Sequence, residues 1–319
     1  MNSKPSELES AGSGVGNSRG VLRNALLDCT NLFVQLDGAP QPRPANNSLT
    51  VESLAPGLSV MIAKACVVYI VLLACGAHLL IAAPREDPLL IPDSDEGLPG
   101  AGPLRRSDWF RGVWRKRRGS WLEKTAEQKG SIVFLGDSIT QGWRDDFGGA
   151  FAPLKVVNRG ISGDTSRGLL VRLKEDVLAL DPKAVVLMIG ANDLAEKAAG
   201  EVVFGNVKLI IERLRKHAPE MPIVLCETFP CAPDNYRPVA EIRKINALYR
   251  EAYRDDSQVT LVETYALFAG SDGASLSKYL PDRVHPNAAG YTQWARALRP
   301  VFTRLGLGEV RPGKGPESP

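Results

Sequence analysis

A serine, an asparagine and an Asp-x-x-His quartet are the residues in this chain whose types could do covalent chemistry together. Gly136-Asp137-Ser138-Ile139-Thr140 follows a short apolar run. A serine at such a strand-to-helix turn exposes its hydroxyl and sets its own N–H at a helix start, where negative charge is stabilised. Serine is a weak nucleophile near neutral pH, so it needs a base; histidine supplies one, and a carboxylate orients the histidine. Two histidines lie beyond this serine. His217 precedes Ala218-Pro219 at the polar end of a helical stretch and reads as a helix C-terminal residue. His285 stands in Pro281-Asp282-Arg283-Val284-His285-Pro286-Asn287, with Asp282 three residues earlier on a tight loop, within reach of the imidazole. Taken alone, an Asp-x-x-His pair is most simply a loop salt link. Two more blocks change that reading. Asn158-Arg159-Gly160-Ile161-Ser162-Gly163-Asp164-Thr165 and Gly190-Ala191-Asn192-Asp193 supply glycine N–H groups and an asparagine amide, which are suited to hold an oxyanion. Each block by itself is also ordinary turn chemistry.

The elements that must position these groups are legible as alternating patterns. Residues 131–136, 155–157, 184–189, 222–227 and 259–262 are short apolar runs that read as buried strands. Residues 168–180, 205–217, 239–253 and 288–305 carry helical spacing. Continuous apolar strands separated by helices predict a parallel sheet covered on both faces, hence a three-layer α/β/α sandwich with about five strands. In such sheets functional groups gather at the carboxyl ends of the strands. The serine, glycine and asparagine blocks each follow a strand, and the histidine block opens the last helix.

In that order the blocks resemble the SGNH (GDSL-type) hydrolases, a family named for Ser, Gly, Asn and His. The likeness runs from about residue 107 to 305. It implies a flavodoxin-like fold, Ser138 as nucleophile, His285 as base and Asp282 as its orienting partner. It further implies an oxyanion hole made by the N–H groups of Ser138 and Gly163 and the side chain of Asn192. Gly136-Asp-Ser-Ile-Thr-Gln-Gly-Trp143, the Asn-x-Gly-x-x-Gly-Asp-Thr block and Pro-Asp-x-x-His are most similar to the platelet-activating-factor acetylhydrolase-like branch. A leading helix with Trp109, Trp114 and Trp121 fits that branch too, although a tryptophan stripe is ordinarily core packing. Cys231-Ala-Pro-Asp-Asn-Tyr-Arg-Pro238 departs most from the family pattern and is expected to shape the pocket.

Composition excludes several alternatives. Of 319 residues, 44% are hydrophobic and 24% charged, as in soluble globular chains, and the net charge is only +3. That balance argues against a nucleic-acid binder. The one dense basic run, Arg115-Lys116-Arg117-Arg118, reads as a solvated helix face. Five cysteines and three histidines show no metal-ligand spacing, and Cys226 and Cys231 read as buried free thiols. The expected chemistry needs no cofactor and no metal. Gly16-Asn-Ser-Arg-Gly20 and the Gly308–Gly315 stretch mimic a nucleophile elbow and a P-loop by chance, since neither sits in a strand-turn-helix context.

The chain divides unevenly. Residues 1–60 carry no period and are expected to be a disordered or mis-annotated extension, with Met61 as the true start. Residues 61–83 form an apolar segment after Lys64, read either as a signal peptide with a lipobox ending at Cys75 or as a single membrane anchor. Lys64 before it and Asp and Glu residues after it place the C-terminal part outside the cytoplasm. Residues 84–106, with five prolines, read as a linker, 107–306 as the hydrolase domain and 307–319 as a disordered tail. The expected function is an extracytoplasmic serine esterase acting on short acyl esters of a lipid or carbohydrate. A longer-chain lipase or lysophospholipase and an O-acetyltransferase would use the same residues. The rival outside enzymology is a membrane-anchored glycan- or lipid-binding protein. Oligomeric state is not legible.

Overall fold

The computed structural model describes residues 87–231 and 236–310, all within one compact unit. The expected N-terminal extension, the 61–83 segment with Cys75, and residues 311–319 lie outside the described residues. Among the described residues, no helix is long and apolar enough to cross a membrane.

Five parallel strands form the sheet in the order β2-β1-β3-β4-β5, with β1 Ile132–Gly136, β2 Val156–Gly160, β3 Ala184–Met188, β4 Ile223–Cys226 and β5 Val259–Val262. Every residue of β1, β3 and β4 is buried, as expected for strands with helices on both faces. The covering helices are α1 Asp108–Leu122, α2 Ser138–Gln141, α3 Ser166–Asp176, α4 Ala191–Ala195, α5 Gly200–His217, α6 Val239–Tyr253, α7 Thr264–Phe268 and α8 Ala288–Arg304. The chain steps from β1 to β2 on one side and then returns to β3 on the other. This creates a switch point between β1 and β3, where a crevice opens at the strand ends. The register sets Gly136 beside Gly160 of β2 and Met188 of β3, so the loops that follow the three strands start level with one another.

Strand β2 runs three residues past the apolar stretch that announced it. Asn158 and Arg159 are buried strand residues, and all their side-chain polar atoms but Arg159 Nη1 find partners. Asn158 Nδ2 donates to Thr140 O (2.8 Å) and Arg144 O (2.9 Å), and Arg159 Nε donates to Asp176 O (2.9 Å).

Three expectations are corrected. Residues 87–106 have neither helix nor strand, but they are packed rather than a free linker. Ile91 and Leu104 are buried with Phe110, Trp114, Trp121 and Ile161, while Asp95 pairs with Arg106 and Arg167. The proline-rich composition reported the missing period, not the burial. The basic run of α1 is a solvated face only at Arg115 and Lys116: Arg118 is 2% exposed, with Nε bonded to both oxygens of Asp176 (3.0 and 2.9 Å), and Arg117 pairs with Asp145 (3.0 Å). The tail start is also held, for Leu307 is buried and its carbonyl accepts from Lys183 Nζ (3.0 Å). Cys226 and Cys231 are free and buried, as the sequence suggests.

Candidate active site

Ser138 is the first residue of α2, separated from β1 by Asp137 alone. No carbonyl one turn earlier can accept its N–H. Asp137 caps this helix, its Oδ1 accepting from Ile139 N (2.9 Å). The turn is tight: a Cβ on Gly136 would lie 2.5 Å from Met188 O, so glycine lets the nucleophile turn press against β3. Tyr291 on α8 donates its hydroxyl to Ile139 O (2.9 Å), which ties the last helix to the same turn.

The histidine loop is built by Asp282. Its Oδ1 accepts from Val284 N (2.9 Å) and His285 N (2.6 Å), and its Oδ2 lies 2.6 Å from His285 Nδ1. A carboxylate can only accept, so Nδ1 carries the proton and Nε2 is left as an acceptor. Ser138 Oγ is 2.9 Å from that Nε2, across 147 residues of sequence. Partial burial pushes the Asp282 carboxyl up, but the hydrogen bonds from His285 and Val284 outweigh it and hold the group below its usual range. Ser138, His285 and Asp282 are thus brought together in one hydrogen-bonded line. His217, by contrast, ends α5 and lies 3.4 Å from Asp181.

The two further predicted groups meet at the same place. Gly163 has φ +87°, a conformation glycine adopts without strain. In its turn, Asp164 N donates to Ile161 O (3.0 Å) and Ser162 N to Gln141 Oε1 (2.7 Å). Asn192, in α4 just beyond β3, donates from Nδ2 to Asp164 O at 2.9 Å and makes a longer 3.4 Å contact with Asp137 Oδ2.

Several site neighbours had no role assigned from the sequence. Asp137 is buried beside Asn192, and burial pushes its carboxyl up to about 7 against the pull of the Ile139 N–H. Arg105 donates from Nη1 to Gly163 O (3.0 Å) and pairs with Glu196 (2.7 Å). Arg237, within the least family-like segment, donates to Ala191 O (2.8 Å) next to Asn192; residues 232–235 of that segment lie outside the described residues. Of the tryptophan stripe, Trp114 and Trp121 are core, whereas Trp109 is 60% exposed with its ring against Gly163. An amphipathic pattern assigns faces from one helix alone, and it could not show that α1 runs past the Gly163 loop.

A serine hydroxyl hydrogen-bonded to a carboxylate-held imidazole is an arrangement that can add to a carbonyl. The GDSL-like lipase/acylhydrolase family model matches residues 134–293, half of the chain. The chain belongs to that family. It is therefore a hydrolase of the acylhydrolase class, and its five-stranded sheet is the SGNH fold. The bovine and human platelet-activating factor acetylhydrolase IB subunits alpha1 are 29% identical over 202 residues, covering 61% of this chain and 84% of theirs. A solved GDSL-like lipase from Bacteroides thetaiotaomicron is 27% identical with a TM-score of 0.51, covering 59% of this chain and 97% of its own. A Streptococcus structure described as a platelet activating factor protein has a TM-score of 0.55 at 23% identity, covering 61% and 95%, and shows the shared fold.

Proposed function

We propose that this acylhydrolase is a serine esterase that releases short acyl groups, acetyl above all, from a lipid or carbohydrate alcohol through an acyl-serine intermediate. The observation that carries the reading is the unbroken line from Asp282 through His285 to Ser138 Oγ. Ser138 Oγ adds to the ester carbonyl carbon while His285 Nε2 takes its proton. The N–H groups of Ser138 and Gly163 and the Asn192 amide stabilise the oxyanion. The ester C–O bond then breaks as His285 returns the proton to the departing alcohol oxygen. Water adds to the acyl-serine, giving its proton to His285, and collapse restores Ser138 and releases the acid.

The small-acyl preference is supported by two features. The side chains of His285 and Asp282 are 44% and 56% exposed, so the reacting atoms sit near the surface and leave room for a large alcohol part outside. The similar mammalian proteins are named acetylhydrolases. We also place the enzyme outside the cytoplasm, held by residues 61–83 or an acylated Cys75, on the sequence pattern of that segment.

The test is hydrolysis of p-nitrophenyl acetate, butyrate and octanoate by the full chain beside Ser138→Ala. Turnover that falls with chain length and vanishes in the variant is expected. Activity retained by Ser138→Ala would overturn the mechanism, and faster octanoate turnover would overturn the short-acyl preference. A folded protein without hydrolysis would point to an acyltransferase.

A further inference from the structure

Beneath the reacting groups lies a layer of buried charge that the mechanism above does not use. Arg172 of α3 is 0% exposed, and its guanidinium reaches three separate segments. Nη2 donates to Gly136 O (3.2 Å) at the end of β1 and to Arg159 O (2.8 Å) in β2, while Nε donates to Asp164 Oδ2 (2.8 Å). Nη1 lies 3.4 Å from Asp176 Oδ2. The Trp114 and Trp121 rings of α1 stand 5.9 and 5.8 Å from it, so the tryptophan stripe forms a wall of this cluster.

Two of the segments Arg172 joins carry the Ser138 and Gly163 donors, and Asn192 is bonded to the second of them. Gly136 is two residues before Ser138. Asp164 follows Gly163, and the Asp164 carbonyl accepts the Asn192 amide at 2.9 Å. One planar fork thus sets the distance between the nucleophile turn and the Gly163–Asp164 turn, and through the latter it reaches Asn192. A point-charged ammonium cannot span these acceptors together.

We propose that Arg172 is a positioning residue for the oxyanion hole, holding the Ser138, Gly163 and Asn192 donors on one point. This rests on the serine-esterase reading above. It does not touch substrate, and it acts through the peptides it holds.

The experiment compares Arg172→Lys and Arg172→Met with Arg118→Lys in the full chain. Arg118 belongs to the same buried layer, bonding Asp176 and Pro88 O, but it reaches neither Gly136 nor Asp164. Expected for Arg172→Lys is a kcat on p-nitrophenyl acetate lower by about 10–100-fold, the scale of a misplacement of about 1 Å. KM stays within about 3-fold, since the loss falls on the transition state. Affinity for a boronic acid that forms a tetrahedral adduct falls in step with kcat. Arg118→Lys lowers the melting temperature but leaves kcat per folded molecule near wild type. A normal kcat in Arg172→Lys, or an equal fall in Arg118→Lys, would overturn the proposal. Should Arg172→Met fail to fold, the lysine variant still decides. An inactive wild type, or an active Ser138→Ala, would instead overturn the esterase reading.

Discussion

The two halves of the active site are built on opposite terms. Asp164, Asp193 and Arg172 beneath the donors are fully buried, and each of their charged groups is hydrogen-bonded inside the protein. The Asp282–His285 loop is half open to solvent and takes its shape from one carboxylate accepting three bonds. The difference matches the part each half takes in the proposed mechanism. Donors aimed at a developing charge must not reorganise during the reaction, which favours a rigid, dry scaffold. The base must exchange protons with water and a departing alcohol, which favours an open loop. The halves meet at Ser138 and are further linked where Tyr291 bonds Ile139 O.

Ser138→Ala and His285→Ala test the point where the halves join. Each should lower kcat by about 10^4-fold or more, and the double variant should be little worse than either, because the pair acts as a unit. Additive losses would show that the two groups do not work together. Asp282→Asn probes the open half. Its loss should be about 10^3-fold, below the ~10^4-fold found for a buried triad carboxylate, because water partly substitutes at an exposed site. A loss equal to that of Ser138→Ala would erase the distinction between the halves. In the buried half, Asn192→Ala should cost about 10^2–10^3-fold in kcat with little change in KM, the signature of a lost oxyanion donor. A rise in KM alone would assign Asn192 to ground-state binding.

The smallest effect is on stability against pH. Burial raises Asp137 from 3.8 to about 7, and Asp164 and Asp193 to about 6. The folded protein therefore keeps protons that the unfolded chain releases, so this half contributes stability that declines as pH rises from about 4 to about 7. Asp282 in the open half is shifted the other way, and its contribution is lost only as pH falls below its unfolded value. Scanning calorimetry should show a lower melting temperature at pH 7.5 than at pH 5, by roughly 2–4 °C for each kcal/mol involved. Asp137→Asn should flatten the slope. A melting temperature that rises steadily over this range would contradict the assignment of charge to the buried half.

Much of this architecture was readable before any coordinates. The five strands fell where apolar runs stood between helical patterns, because strands buried on both faces must be apolar throughout. Ser138, Asp282 and His285 were readable because they stand in short blocks, a turn after a strand and three residues of loop, whose order resembles that of a known family. Where polar residues are buried, the pattern failed. Asn158 and Arg159 looked like loop, Arg118 looked like solvated surface, and residues 87–106 looked like linker. Each is held by partners at least 14 residues away: Arg144 for buried Asn158, Asp176 for buried Arg118 and Arg159, and Arg167 for Asp95, which stays exposed.

By itself the chain's order of residues determined the alternation of strands and helices and the parallel sheet, which follow from periodicity, while the reacting groups were named by the resemblance of four short blocks to a known family. Tertiary structure alone decided that Ser138 Oγ and His285 Nε2 stand 2.9 Å apart, that Trp109 rests on Gly163, and that Arg172 joins the ends of β1 and β2 to the Gly163–Asp164 turn. The physical reason is that a charged side chain is tolerated inside only when distant segments bring its partners to it, and local pattern does not record distant partners.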